Sequence, residues 1–229
     1  MKNEIKLIST INKFKSMIQK EQFVIDKTGV KTVELISYVL KLNPLQPILN
    51  FTTKKTNVDY CTKELNWYLS NNLSINGYVD DISIWKQVCT KDEKREVNSN
   101  YGWCVFDDKN FNQYKYAIEE LKSNPNSRRA VIMYNRPSMT KDYNRNGMSD
   151  YICTISTTLL IRNGKLIYNI HQRSCDFIYG FFNDFYWHCF VYSKILNELN
   201  LKKGHINYYF DSLHVYERHF ELIKNMKNI

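Results

Sequence analysis

The sequence predicts an α+β protein, and three observations carry that reading. Stretches with helical spacing of apolar residues alternate with stretches that read as strand. An Asn163-Gly164 pair separates two apolar runs, and a two-residue Asn-Gly signals a hairpin because both central residues need positive φ. The 229 residues contain no repeat, linker or low-complexity stretch, and 43% are hydrophobic, so the expected organisation is one domain spanning 1–229 with a sizeable core.

Composition narrows the function classes. The net charge of +9 suits either nucleic acid or a phosphorylated small molecule. Many lysines lie in 2–20 and 202–227 rather than in one dense run, which fits a solvated surface better than a nucleic-acid groove. The six cysteines include no C-x-x-C pair and no Cys/His zinc spacing, so no metal is expected. The N-terminus lacks the apolar run of a signal peptide, and no apolar stretch has the length of a membrane span. A cytoplasmic protein with reduced thiols is therefore expected.

Each element has its own justification. In 4–19, Ile5, Ile8, Ile11, Phe14 and Ile18 recur at roughly helical spacing with lysines opposite, which predicts a packed surface helix. Asp26-Lys27-Thr28-Gly29-Val30-Lys31-Thr32 is a loop whose amides and cations can approach an anion, though it is not a G-x-x-x-x-G-K loop. Residues 33–42 read as strand. Residues 57–69 read as helix, with Val58, Cys61, Leu65 and Leu69 on one face and Glu64 bordering it. Trp85 by itself reads as a core tryptophan, and 91–95 is a charged surface stretch. Asn110 is predicted to cap a helix over 111–122 that turns Phe111, Tyr114, Ile118 and Leu121 inward. Arg128 and Arg129 precede a strand at 130–134 and point to opposite sides of an extended chain. Residues 136–150 are a polar loop with no assigned chemistry. Phe185, His188, Tyr192, Ile195 and Leu199 form the buried face of another helix, with Asp184 suited to its N-cap and Gly204 closing the region. A strand at 206–210 leads to His214 and Tyr216, two apart on one strand face.

The stretch from Cys153 to Asp184 concentrates the chemistry. A thiol precedes the hairpin, Arg173-Ser174 follows it, and a carboxylate ends it. A nearby cation stabilises a thiolate, so this order suggests a nucleophile working on an anionic substrate. The stretch resembles the thymidylate synthase superfamily, in which a catalytic Cys is followed by a hairpin, Q-R-S-x-D, a glycine and a base-reading residue. Here these are Cys153, Gln172-Arg173-Ser174-Cys175-Asp176, Gly180 and Asp184. Glu64-Leu65-Asn66-Trp67-Tyr68-Leu69 matches a further motif of that family. The synthases place Asn where this chain has Asp184, and Pro-Cys-His where it has Ile152-Cys153-Thr154. The Asp, the 26–32 loop, Asn98–Trp103 and the 136–150 segment resemble the bacteriophage deoxycytidylate hydroxymethylase branch. The resemblance runs from about Phe23 to Phe220.

The resemblance implies a mixed sheet with helices on one face and the other face packed in a homodimer. It implies Cys153 as nucleophile, a buried Glu64 of raised pKa relaying protons, and Tyr101 reaching the reacting carbon through water. It implies phosphate binding by Lys27, Arg173, Ser174 and the partner's Arg128 and Arg129. His214 and Tyr216 would bind the sugar hydroxyl, and Trp85 and Asp176 the folate. The co-substrate implied is 5,10-methylenetetrahydrofolate, the nucleotide dCMP, and the product 5-hydroxymethyl-dCMP. Spacing from Arg173 selects Asp184 over Asn183 as the base reader. A carboxyl group accepts from the cytosine amino group and, when protonated, donates to N3. The alternatives are a methylating enzyme acting on dCMP or dUMP, a basic nucleic-acid-binding protein, whose exposed aromatic stripe the motifs do not supply, and a cysteine hydrolase, for which no histidine is placed as base.

Overall fold

The computed structural model describes residues 2–229. In chain order the elements are α1 (Asn3–Gln19), β1 (Val24–Ile25), β2 (Lys31–Leu42), α2 (Val58–Leu69), α3 (Ser83–Val88), α4 (Tyr101–Phe106), α5 (Gln113–Ser123) and β3 (Val131–Met133), then α6 (Met139–Asp142), β4 (Thr154–Arg162), β5 (Lys165–Gln172), β6 (Cys175–Asp176), α7 (Gly180–Glu198), β7 (Lys202–Tyr216) and α8 (Phe220–Asn225). The fold is α+β. The chain divides into two compact units, one formed by the residues through Val58 with Gly164–Ile229, the other by Asp59–Asn163.

The first unit is built on a mixed sheet. β2 pairs antiparallel with β1 and β7, and β7 pairs parallel with β5 and β6. Leu40 and Leu42 of β2, Ile206, Tyr208 and Phe210 of β7, and Leu166, Tyr168 and Ile170 of β5 are buried on one side. α7 covers that side, with Phe181 and Phe185 against Tyr208 at ring separations of 5.6 and 6.3 Å. α1 covers it too: Thr10 Oγ1 meets Tyr38 OH at 3.1 Å, and Phe14 packs on Phe177 at 5.4 Å. The buried stripe of α1 is Leu7, Ile11, Phe14 and Ile18, whereas Ile5 is 47% exposed, so the packed face is rotated from the one the isoleucines outline. Ser37 stands at φ 51°, and the β2–β7 ladder passes from Ile36↔Ser212 to Tyr38↔Phe210. Burial changes side across that position: Val33 is buried before it, Leu40 and Leu42 after it.

Two boundaries in this unit differ from expectation. β7 runs unbroken over Lys202–Tyr216, so His214 and Tyr216 lie in the same strand as 206–210. Gly204 lies inside that strand rather than closing a helix. A Cβ there would stand 2.0 Å from Leu166 O, so only glycine permits the close β5–β7 approach. α7 ends at Glu198, and Asn200 at φ 48° takes the left-handed conformation that terminates helices.

The second unit holds α2 to α6 with the antiparallel pair β3–β4. The buried residues of α2 are Cys61, Glu64, Trp67 and Tyr68, with Val58 and Leu69 exposed. Glu64 therefore lies at the centre of the packed face instead of bordering it. α4 approaches α2 closely at Gly102, where a Cβ would meet Tyr68 O at 1.8 Å. α5 begins at Gln113, and Asn112, not Asn110, caps it by accepting from Lys115 N at 3.3 Å. Phe111 is 77% exposed, while Tyr114, Ala117, Ile118 and Leu121 face inward. Asn110 instead donates to Cys104 O at 2.7 Å. Among the described residues no helix is long and apolar enough to cross a membrane, and no cluster of side chains could hold a metal.

Candidate active site

The second unit positions the candidate nucleophile and proton-relay groups. Cys153 directly precedes β4 and is partly exposed, whereas the other five cysteines are buried. Access selects Cys153 as the thiol a substrate can meet. Burial pushes the Cys104 thiol up to about 12, which makes it inert at neutral pH. Thr154, fully buried beside Cys153 in the chain, donates through Oγ1 to Tyr101 OH at 3.0 Å. Tyr101 opens α4, is 4% exposed and stacks on Tyr68 at 5.3 Å.

A second connection joins the same two segments. Asp150 accepts from Asn98 N, Ser99 N and Ser99 Oγ, each at 2.7 Å. Asn100 then caps α4 by accepting from Trp103 N at 2.8 Å. The segment before Cys153 is thereby fastened to the segment before Tyr101. Arg136 donates to Asn98 Oδ1 at 2.9 Å and lies over the Trp103 ring at 4.7 Å. The polar 136–150 stretch, which carried no role by sequence, supplies this anchor.

Glu64 is linked to Trp85 through one intermediary. Tyr60 OH donates to Glu64 Oε1 at 2.8 Å and accepts from Trp85 Nε1 at 3.2 Å. Burial, with the Glu64 charge, pushes the Tyr60 phenol well above its ordinary range, so it stays a donor. Sequence reasoning missed Tyr60, although its spacing of one helical turn from Glu64 was readable. Arg128 and Arg129 lie exposed before β3. Arg129 Nε reaches Glu120 Oε1 at 3.3 Å.

The first unit positions the candidate substrate-binding groups. Asn163 and Gly164 have φ of 53° and 68°, the expected tight turn between β4 and β5. Gln172 ends β5, is fully buried, and donates from Nε2 to Asp184 Oδ2 at 2.6 Å. Asp184 lies one turn inside α7, so it does not cap the helix. The α7 N-cap position is Tyr179 and makes no side-chain cap bond. The carboxylate that serves the approach to α7 is Asp176, whose Oδ1 accepts from Ile178 N at 2.8 Å and Tyr179 N at 3.3 Å. Arg173 and Ser174, both half-buried, bridge β5 and β6.

Asp176 is paired in register with His214 across β6–β7, and its Oδ2 lies 3.6 Å from Arg218. His214 is 9% exposed and meets the Tyr216 ring edge-on at 5.1 Å. Burial holds the His214 imidazole below its ordinary range against the pull of Asp176 and Glu34, so it is neutral at pH 7. Lys27 sits exposed in the β1–β2 turn. Asp26 shapes that turn by accepting from Thr28 N at 2.8 Å, Thr28 Oγ1 at 2.7 Å and Val30 N at 3.0 Å. Tyr179, 56% exposed, has Lys54 Nζ at 5.2 Å and Arg218 at 6.0 Å from its ring centre. No single motif marks that aromatic and cationic cluster in sequence, because its members come from distant segments.

The chain can be set beside known proteins. The family model described as thymidylate synthase matches residues 11–228. The chain is 40% identical over 223 residues to the deoxycytidylate 5-hydroxymethyltransferase of Enterobacteria phage T2, covering 92% of this chain and 86% of that protein. It is 40% identical over 218 residues to the enzyme of the same name from Enterobacteria phage T4, covering 90% and 84%. It is 26% identical over 223 residues to the bifunctional dihydrofolate reductase-thymidylate synthase of Paramecium tetraurelia, covering 87% of this chain and 47% of that protein. The chain belongs to the thymidylate synthase family.

Proposed function

We propose that this chain is a deoxycytidylate 5-hydroxymethyltransferase, working as one catalytic domain that converts dCMP to 5-hydroxymethyl-dCMP. The observation that carries the choice of base is Asp184, a carboxyl group held at Oδ2 by Gln172 at 2.6 Å. A carboxyl group complements the amino group of cytosine, where an amide complements uracil. The relatives that are 40% identical to this chain over 223 and 218 residues bear the matching name.

The roles follow from the chemistry of each group. Cys153 adds as thiolate to C6 of the pyrimidine, which turns C5 into a nucleophile. The co-substrate 5,10-methylenetetrahydrofolate supplies the one-carbon unit that C5 attacks, and loss of the C5 proton and of tetrahydrofolate leaves an exocyclic methylene to which water adds. Tyr101 and Glu64 serve the proton that leaves C5 and the water that adds to the exocyclic carbon. Departure of the Cys153 sulfur from C6 restores the aromatic ring and frees the product. Arg173, Ser174, Lys27 and the partner's Arg128 and Arg129 hold the phosphate dianion by charge-assisted bonds. His214 and Tyr216 hold the sugar hydroxyl. Trp85 and Asp176 line the folate side, and the exposed Tyr179 ring between Lys54 and Arg218 fits a flat, anionic co-substrate.

A homodimer is part of the proposal. The β2–β7 face away from α1 and α7 carries Val39 at 52% and Tyr209 at 42% exposure, apolar surface suited to a second copy. A cytoplasmic location, that of the host for a phage protein, is part of the same proposal.

The test uses 5-tritiated dCMP or dUMP with methylenetetrahydrofolate, scoring tritium release and product mass. Release from dCMP with a hydroxymethyl mass is the expected result. Release from dUMP alone, or a methyl product, would assign the chain to the methylating reaction.

A further inference from the structure

We propose that Glu34 and Ser212 are positioning residues that lock His214 as the Nδ1–H tautomer, so that Nε2 meets the nucleotide as a hydrogen-bond acceptor. The substrate half of this statement rests on the reading that His214 binds the sugar hydroxyl.

The strands set the geometry. β2 and β7 pair with Glu34 opposite His214 and Ile36 opposite Ser212, so Glu34 lies beside His214 and diagonal to Ser212. Ser212 Oγ donates to Glu34 Oε1. Ser212 Oγ also lies 3.2 Å from His214 Nδ1.

Counting protons decides the direction. A hydroxyl has one proton, and a carboxylate only accepts. With the Ser212 proton committed to Glu34, Ser212 Oγ can only accept from the histidine, so the imidazole proton is on Nδ1. A neutral imidazole carries one proton, so Nε2 presents a lone pair. The other charged groups around the ring do not compete for Nδ1. Asp176 directs Oδ1 to the Ile178 and Tyr179 amides and Oδ2 toward Arg218, and Asp26 holds Thr28 and Val30.

An acceptor at Nε2 selects a donor. In a 2′-deoxynucleoside 5′-monophosphate the free sugar donor is the 3′-hydroxyl. The relay therefore favours nucleotides with an unmodified 3′-hydroxyl over 2′,3′-dideoxy or 3′-O-alkyl nucleotides, which offer no proton.

Ring nitrogen NMR of protein labelled with 15N-histidine tests the tautomer without substrate. In the wild type the His214 signal, assigned by its loss in His214→Gln, should show a pyrrole-type Nδ1 and a pyridine-type Nε2. In Glu34→Leu the acceptor is gone, which frees the Ser212 proton for Nδ1, so the imidazole proton should shift to Nε2. Kinetics then test the substrate half. Glu34→Leu and Ser212→Ala should raise KM for dCMP by about threefold to tenfold with little change in kcat. The same substitutions should leave KM for 2′,3′-dideoxy-CMP unchanged. A wild-type proton on Nε2, or an unmoved proton in Glu34→Leu, overturns the relay. The expected tautomer with equal penalties for both nucleotides overturns the sugar reading alone.

Discussion

Asp184→Asn should exchange the base this enzyme accepts. Gln172 is buried at the end of β5 and its Nε2 donates to Asp184 Oδ2 at 2.6 Å. An asparagine amide keeps that bond only with its oxygen toward Gln172. Its nitrogen then takes the place of Asp184 Oδ1 and presents two protons. The 4-amino group of cytosine would meet a donor where it met an acceptor, whereas the 4-carbonyl of uracil would gain a partner. Leaving a buried donor unpaired costs about 1–3 kcal/mol, or about 5- to 150-fold in kcat/KM. Tritium release from 5-tritiated dCMP and dUMP, measured over a range of concentrations, reads both substrates in one assay. The expected result is a fall for dCMP of at least about fivefold with a rise for dUMP. A dCMP-to-dUMP ratio unchanged by the substitution would refute the argument that Asp184 reads the base.

Other outcomes follow from the same geometry. Iodoacetamide should label Cys153 first in the native enzyme, as seen by peptide mass, and Cys153→Ser should abolish tritium release; labelling led by Cys104, whose thiol burial pushes up to about 12, would contradict the assignment. Thr154→Val keeps the shape but removes the donor to Tyr101, so kcat should fall about twofold to tenfold, and adding it to Tyr101→Phe should cost little more; full additivity would mean Thr154 acts elsewhere. Gly102→Ala forces a methyl against Tyr68 O, and urea unfolding should show a loss of at least about 1–3 kcal/mol. Burial lowers His188 to about 3, so the unfolded chain binds its proton more readily than the folded one. That contribution is complete above the unfolded histidine value near about 6.5 and is lost as pH falls toward the folded value. His188→Gln should flatten the acid side of the stability curve by up to about 1.4 kcal/mol per pH unit, and a curve parallel to wild type would exclude this source.

The particular residues show what was legible. Period-3.6 spacing located α1, α2 and α7, and Asn163-Gly164 located the turn between β4 and β5, because local sterics and one-sided burial leave those marks directly. Boundaries were less legible. Asn110 and Asn112 are both good caps by composition, and the choice fell to Asn112 because Asn110 is drawn off by Cys104 O. Asp184 has the chemistry of an N-cap, but α7 starts four residues earlier and places it within reach of Gln172.

The order of motifs by itself determined the family, and it pointed to Cys153 as the proposed nucleophile and Asp184 as the proposed base reader, since covalent spacing along the chain carries that order. Which partners each group would have was decided only by tertiary structure. Glu64 looked like the edge of an apolar face and lies at its centre, joined to Trp85 through Tyr60. Asp150 and Thr154 were plain polar residues until folding brought them to the Tyr101 segment, about fifty positions away in sequence. Ser212 and Glu34 are 178 positions apart and meet only because β2 and β7 pair in one register. Hydrogen bonds are short-ranged and directional, so they depend on where distant segments are packed, and a linear pattern does not record that.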